Sequence, residues 1–396
     1  MPESKHLVDL VQSRIDEYLM SREPIVTLIS SDLAPLIDYS RQFLSGGKRF
    51  RAQFCYWGAQ SVLPRDSGPK PDQPTASETA AFAVDEGGAS AALALIAAGM
   101  APRLEAVVSA ASALEIFHAA ALVHDDIIDN SDTRRGAPSA HKLFERLHQS
   151  EGWAGDPVSF GRASAILLGD LLLGWSDELL DEGLHELTDR VSARRARREF
   201  NHMRTEVTAG QYLDILEERA WLAQPEAELL DRALRVIVYK SAKYSVQAPL
   251  VIGAALAGAS DAQLNALRAF GLPLGMAYQL RDDLLGVFGD AAVTGKPSGD
   301  DLTEGKRTVL VALARERLDD ADRASLDAEL GDPTLDAARI GALQRLITGS
   351  GAVERVEALI ESQVVEAVAA LQSAPISAEA RQNLLDLTER VTRRAF

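Results

Sequence analysis

Only one cysteine, Cys55, occurs among the 396 residues of this chain. That excludes an intramolecular disulfide and a zinc site built on thiolates. Positive charge is also scarce: 41 Lys and Arg stand against 58 Asp and Glu, a net charge of −17. A surface that acidic repels phosphodiester backbones, so no nucleic-acid partner is expected. Long hydrophobic runs are missing too. The two longest, Ala89–Ala101 and Ala248–Ala259, fall short of the ~20 apolar residues of a membrane span. Both are expected as buried core helices, and no transmembrane segment is expected. The opening residues, Met1 to Leu7, lack the basic-then-apolar pattern of a secretory signal, so the expected location is cytoplasmic. Strand signals are nearly absent, and no EF-hand spacing occurs.

What the chain does have is helix. Hydrophobic residues make up 46% of it, enough for a substantial core. Ala, Leu, Glu and Arg dominate, with apolar residues three and four apart. Helices are predicted over Leu7–Met20, Leu104–Asp129, Ala163–Glu182, Pro225–Gln247, Asp261–Val287 and Ser350–Ser373, with Pro273 kinking or splitting the fifth. Pro64–Glu78 and the Gly-rich Gly289–Gly305 read as loops. The basic stretch Ser192–Arg198 reads as a solvated helix face. The expectation is an all-α helical bundle, one domain over 1–396, with a central cavity.

Two aspartate clusters carry the chemistry. His124-Asp-Asp-Ile-Ile-Asp129 closes a long apolar stretch, and Gln279-Leu-Arg-Asp-Asp-Leu-Leu-Gly286 follows later, also in apolar surroundings. Adjacent carboxylates repel one another and are costly to desolvate, so a cation is what would hold them. On a helix Asp125 and Asp129 share a face one turn apart. Their hard oxygens suit Mg²⁺, which keeps sites open for water and phosphate. Arg134 and Arg135 follow closely and can grip separate phosphates. Lys296 and Lys306 lie in Gly-rich sequence after the second cluster, where phosphates can approach closely. Lys48 and Arg51, in Gly46-Gly-Lys-Arg-Phe-Arg51, share a face if a helix starts there. The pattern points to an enzyme acting on diphosphate esters.

Together these stretches resemble the trans-isoprenyl diphosphate synthases, or polyprenyl synthetases. Gly46–Arg51 is similar to that family's GGKxxR element, and His124–Asp129 with Arg134-Arg135-Gly136 to its first aspartate-rich motif. Gly210-Gln-Tyr-Leu-Asp214 resembles GQxxD, and Lys240-Ser241 stands where Lys-Thr is usual. Gln279–Asp283, Gly295-Lys296 and Lys306 resemble the second motif and its trailing lysines. The resemblance implies a homodimer that joins isopentenyl diphosphate to an allylic diphosphate. It implies about three Mg²⁺ ions, held by Asp125 and Asp129 with Asp282 facing them, and by the adjoining Asp126 and Asp283. It places Arg134, Lys240, Ser241, Gln279 and Lys296 on the allylic diphosphate and counts Lys306 among the substrate-binding residues. It places Lys48, Arg51, His118 and Arg135 on isopentenyl diphosphate. One departure stands out: Gly286 occupies the position of the second motif's final aspartate.

In this family the helix below the first motif floors the product pocket. Ala120 and Ala121 are small, and Phe117 lies one turn deeper, ~5.4 Å along the axis. The expected product is therefore geranylgeranyl diphosphate, with farnesyl or longer products as alternatives. A class I terpene cyclase would need neither the Gly46–Arg51 element nor His118. A non-catalytic subunit of a heteromeric synthase is the other rival, and Gly286 is the feature that hints at it.

Overall fold

The computed structural model describes residues 2–62, 101–134, 136–290 and 298–392. Helices α1 (Pro2–Ile29), α2 (Ala34–Leu44), α3 (Phe50–Gln60) and α4 (Ala101–Ile128) come first. A two-residue hairpin, β1 (Thr133–Arg134) with β2 (Ala137–Pro138), precedes α5 (Ala140–Ser150), α6 (Pro157–Glu186) and α7 (Arg190–Ala220). Next are α8 (Leu229–Val236), a π-helical segment (Ile237–Gln247), α9 (Ala248–Leu256) and α10 (Asp261–Phe288). The chain closes with α11 (Asp300–Glu304), α12 (Val309–Arg315), α13 (Asp320–Glu329), α14 (Ala337–Gly349), α15 (Ala352–Ser373) and α16 (Ala378–Thr392). The expected all-α architecture is what forms. The Pro64–Glu78 loop and the apolar run beginning at Ala89 lie outside the described residues, apart from Ala101.

Helix α4 is the axis of the bundle. Its Ala110, Ala113, Leu114, Ile116 and Val123 are fully enclosed, and it packs chiefly against α6. Small residues on α4 let neighbouring helices approach closely, while the Leu and Ile side chains supply the transfer energy. Its end is set by Asn130, which adopts the left-handed conformation at φ 55. The Ser131 amide then bonds the Asp126 carbonyl at 2.9 Å, the closing bond of a Schellman cap.

Length and composition would allow α4 (over Arg103–Ile128) and α6 to cross a membrane. In α4 the apolar window is 83% buried inside the bundle, whereas in α6 the share is 33%.

Two other expectations are corrected. The single predicted helix over Pro225–Gln247 is a 3-10 turn, α8 and the π-helical segment in succession. The widening falls where the segment is gripped between α7 and α10. Pro273 does not split α10, which runs unbroken from Asp261 to Phe288. The Gln247 side-chain amide donates to the Arg268 carbonyl at 3.1 Å, an added bond in the turn beside the one the proline weakens. The Gly289–Gly305 loop also contains α11, with Gly299 and Gly305 left-handed at its two ends. A second apolar cluster, built on Leu280, Leu284, Leu302 and Val309 among others, supports the lower half of α10. The basic stretch Ser192–Arg198 lies in the first turns of α7, where Arg195 and Arg197 pair with Asp261 and with Asp177 and Asp181.

Candidate active site

The first aspartate cluster closes α4, at the negative end of its helix dipole. Three carboxylates placed there must recruit cations. Asp125 accepts from Gln211 Nε2 at 2.9 Å and lies 3.5 Å from Lys240 Nζ. Asp126, about 100° further round the helix, is fully buried and receives both Nε and Nη2 of Arg134. Asp129, on the Asp125 face, accepts from Lys306 Nζ at 2.6 Å. Burial, reinforced by Asp125, pushes the Asp129 carboxyl up to about 6 despite Lys306 and Lys240.

Asp214, from the Gly210–Asp214 stretch on α7, ties the two lysines together. It accepts from Lys240 Nζ at 2.5 Å and from Lys306 Nζ at 3.3 Å. Its burial opposes ionisation, but the two ammonium groups outweigh that and hold it below the usual carboxylate range. Both lysines stay charged for the reciprocal reason: burial disfavours the charge, and Asp125, Asp129 and Asp214 more than restore it. Glu218, one turn beyond Asp214, takes a third Lys306 bond at 3.0 Å. Gly210 makes this arrangement possible. A side chain there would overlap the backbone of Tyr239 and Lys240, so only glycine lets the π-helical segment sit close enough to deliver Lys240.

The second cluster lies on the last turns of α10. Asp282 is exposed, whereas Asp283 is buried and accepts from Gln279 Nε2 at 2.8 Å. Burial pushes Asp283 up to about 7, with Asp282 and Asp214 adding repulsion against the Gln279 bond. That mutual repulsion places the second cluster within electrostatic reach of Asp214.

A separate cationic corner faces the middle of α4. Gly46, Gly47 and Arg49 all take positive φ, so α3 starts only at Phe50. Lys48 therefore lies in an exposed loop and does not share a helical face with Arg51, contrary to expectation. Arg51 donates to Ser245 Oγ at 2.8 Å, and its guanidinium stacks 4.3 Å from the Tyr244 ring centre. The Tyr244 hydroxyl lies 3.1 Å from Nδ1 of His118. Burial raises that hydroxyl to about 12, so it remains a donor at neutral pH. Arg49 is structural instead: buried, it binds Glu115, Gln12 and the Leu44 carbonyl.

The structure thus brings together Asp125, Asp129, Lys240 and Lys306, and near them Asp283. It joins Arg51 to His118 through Tyr244. Arg134 is engaged by Asp126, and Gln279 by Asp283. Ser241 lies in the π-helical segment beside Lys240, half-buried. Arg135 and Lys296 lie outside the described residues. Roles for Gln211, Asp214, Glu218 and Tyr244 were missed. The first two sit in a stretch recognised as a motif, but their partners lie on other helices.

The sequence profile of the polyprenyl synthetase family matches residues 34–347. The chain belongs to that family. A short chain isoprenyl diphosphate synthase of Methanocaldococcus jannaschii is 31% identical over 229 residues, covering 58% of this chain and 62% of that one, slightly under two-thirds of its length. A geranylgeranyl diphosphate synthase of Methanosarcina mazei is 33% identical over 291 residues, 72% of this chain and 79% of the relative. Among solved structures, a Corynebacterium glutamicum geranylgeranyl pyrophosphate synthase, complexed with isoprenyl diphosphate and magnesium, superposes with a TM-score of 0.83. It is 34% identical, and the match covers 98% of this chain and 99% of that one.

Among the described residues of this polyprenyl synthetase, Asp125 and Asp129 at the end of α4 and Asp282 on α10 present the hard carboxylate oxygens that Mg²⁺ prefers, a few at a time, with water and phosphate completing its shell. Hard oxygen donors, two of them with carboxyls shifted upward by burial, suit such an ion.

Two outcomes follow from this geometry. Replacing Gly210 with Ala forces α7 off the π-helical segment, at a cost of about 1–3 kcal/mol, seen as a lower denaturation midpoint. For Asp283, the raised carboxyl means the folded state holds a proton that the unfolded state has lost. Stability therefore falls as pH rises from about 4 to about 7. Asp283→Asn removes that slope, so melting curves in EDTA should show the variant gaining ~2 °C or more on the parent between pH 5 and pH 8.

Proposed function

We propose that this polyprenyl synthetase condenses isopentenyl diphosphate with an allylic diphosphate, giving chiefly geranylgeranyl diphosphate. The observation that carries the reading is the pair of sites along α4. Asp125 and Asp129 meet Lys240 and Lys306 at its end, and Arg51, Tyr244 and His118 gather around its middle. Each cationic group would take one diphosphate, and a cyclase or a simple acidic ion-binder would not need two.

Asp125, Asp129 and Asp282 would hold Mg²⁺, which when bound neutralises charge on a departing diphosphate. Lys240 and Lys306, kept charged by Asp214, add preorganised positive potential where that charge develops. Ionisation breaks the allylic C–O bond, and the isopentenyl double bond attacks the carbocation to form the new C–C bond. The proton lost from the adduct goes to an oxygen of the released diphosphate, so no side-chain base is required. Arg51 and the protonated Tyr244 hold the second diphosphate beside His118.

Phe117 supports the chain-length reading. It is buried and packs edge-to-face on Phe200 and Tyr244, with ring centres 6.1 and 5.7 Å away. Two aromatic neighbours make it a stiff floor beneath Ala120 and Ala121. The homodimer reading rests on α6, whose adjacent Ile166 and Leu167 are 45% and 64% exposed. Apolar side chains left in solvent on a long helix favour a partner.

Purified protein given Mg²⁺, isopentenyl diphosphate and each allylic primer should release a C20 diphosphate, and EDTA should abolish turnover. Cyclised hydrocarbon, or elongation only with a second protein, would overturn the reading. Phe117→Ala should lengthen the product by one or more units; unchanged length would sink the floor assignment. Leu167→Glu should halve the mass measured by light scattering, whereas an unchanged mass would move the interface elsewhere.

A further inference from the structure

The arginines at the start of α7 take no part in the site near the other end of that helix. Arg190, Arg194, Arg198 and His202 follow one another at four-residue steps, so their side chains form a ladder with ~6 Å between rungs. All four are exposed, and among the described residues none has a hydrogen-bond or ion-pair partner. Arg195 and Arg197 beside them differ, each already paired with aspartates of α10 or α6. Three uncompensated guanidiniums on one stripe, in a chain of net charge −17, reverse the sign of the surface locally and attract anions. The helix terminus itself is spoken for: Asp189 accepts the Val191 and Ser192 amides at 2.9 and 3.2 Å.

The ladder borders a groove. Between the last turns of α6 and the first turns of α7 lies a cavity of about 600 Å³, floored by Leu184 and Ala193 and edged by the three arginines and His202. Asp181 on its wall is occupied by Arg197. A second cavity of about 520 Å³ continues from Arg198 and His202 toward α9, where Met203, Ala248 and Val251 give it apolar walls. Its other charges are balanced in pairs, Lys243 with Glu206 at 2.5 Å and Arg268 with Glu199 at 2.8 Å. One end of the groove thus carries uncompensated positive charge, and the other is neutral and partly apolar.

We propose that this groove binds an organic polyphosphate, its linked phosphates on Arg190, Arg194 and Arg198 and its organic body along the α9 section. Arginine holds phosphate oxygens through paired N–H donors, and a row of guanidiniums matches linked phosphates better than a single anion. The groove is separate from the prenyltransferase site. It also lies about 25 Å along α6 from Leu167, clear of the face assigned to a partner subunit.

The test is isothermal titration of tripolyphosphate, ATP and geranylgeranyl diphosphate into the full chain, in EDTA so that no metal bridges phosphates to the aspartates. The variant Arg190→Gln/Arg194→Gln/Arg198→Gln should weaken tripolyphosphate binding by about tenfold or more, with turnover within about twofold of the parent. Arg51→Gln should leave that binding unchanged. ATP or geranylgeranyl diphosphate should bind more tightly than tripolyphosphate, and the tighter of the two names the organic body. Undiminished binding in the triple variant overturns the proposal, as does a loss in Arg51→Gln alone, which would put the anion against α4. Equal affinity for all three anions also overturns it, because no organic body is then recognised. A fall in turnover together with binding would tie the arginines to the active site and end the claim of a separate one. Capture by phosphatidylglycerol vesicles without tripolyphosphate binding would make the ladder a membrane contact. A halved mass of the triple variant would make it a subunit contact, and either result overturns the groove site.

Discussion

The Lys240–Asp214–Lys306 bridge is the interaction on which the rest of this site depends. Three carboxylates end α4 at the negative pole of a helix, and a further pair lies near the end of α10. Burying so much like charge between packed helices is unfavourable unless cations are fixed among them. Asp214 fixes two, one from the π-helical segment and one from the strap after α11. It thereby makes the chain's own lysines hold the aspartates in place, and it keeps the lysines charged in a buried setting.

Several features of the fold make sense as supports for that bridge. Gly210 removes a side chain so that α7 can touch the backbone at Lys240. The π-helical segment sits where Lys240 and Tyr244 are needed, one serving each site; helical widening of this kind is frequent at functional positions. Glu304 and Ser131 pin the strap that brings Lys306 to Asp129. Each support lies on a different element, so the site is only as rigid as the packing between them.

Much of this was legible in the sequence. Asp125 and Asp129 share a face because helical periodicity requires it, and the apolar run before them marked a buried helix. The glycines of 46–51 marked a break before α3, and Arg51 there reaches Ser245 and Tyr244. What was not legible depends on contacts between distant segments. Asp214 stood in a recognised motif, yet its role comes from lysines 26 and 92 residues away. Asp126 looked equivalent to its neighbours until its position on the helix gave it to Arg134. The Lys48–Arg51 pairing failed because Arg49 adopts the left-handed conformation and delays the helix.

Asp214→Asn tests the central claim most directly, because it keeps the shape and removes the charge that joins the two lysines. The account predicts that turnover with Mg²⁺ and both diphosphates falls by about a hundredfold or more. Turnover within about twofold of the parent would contradict it, and would show that the lysines are positioned without Asp214.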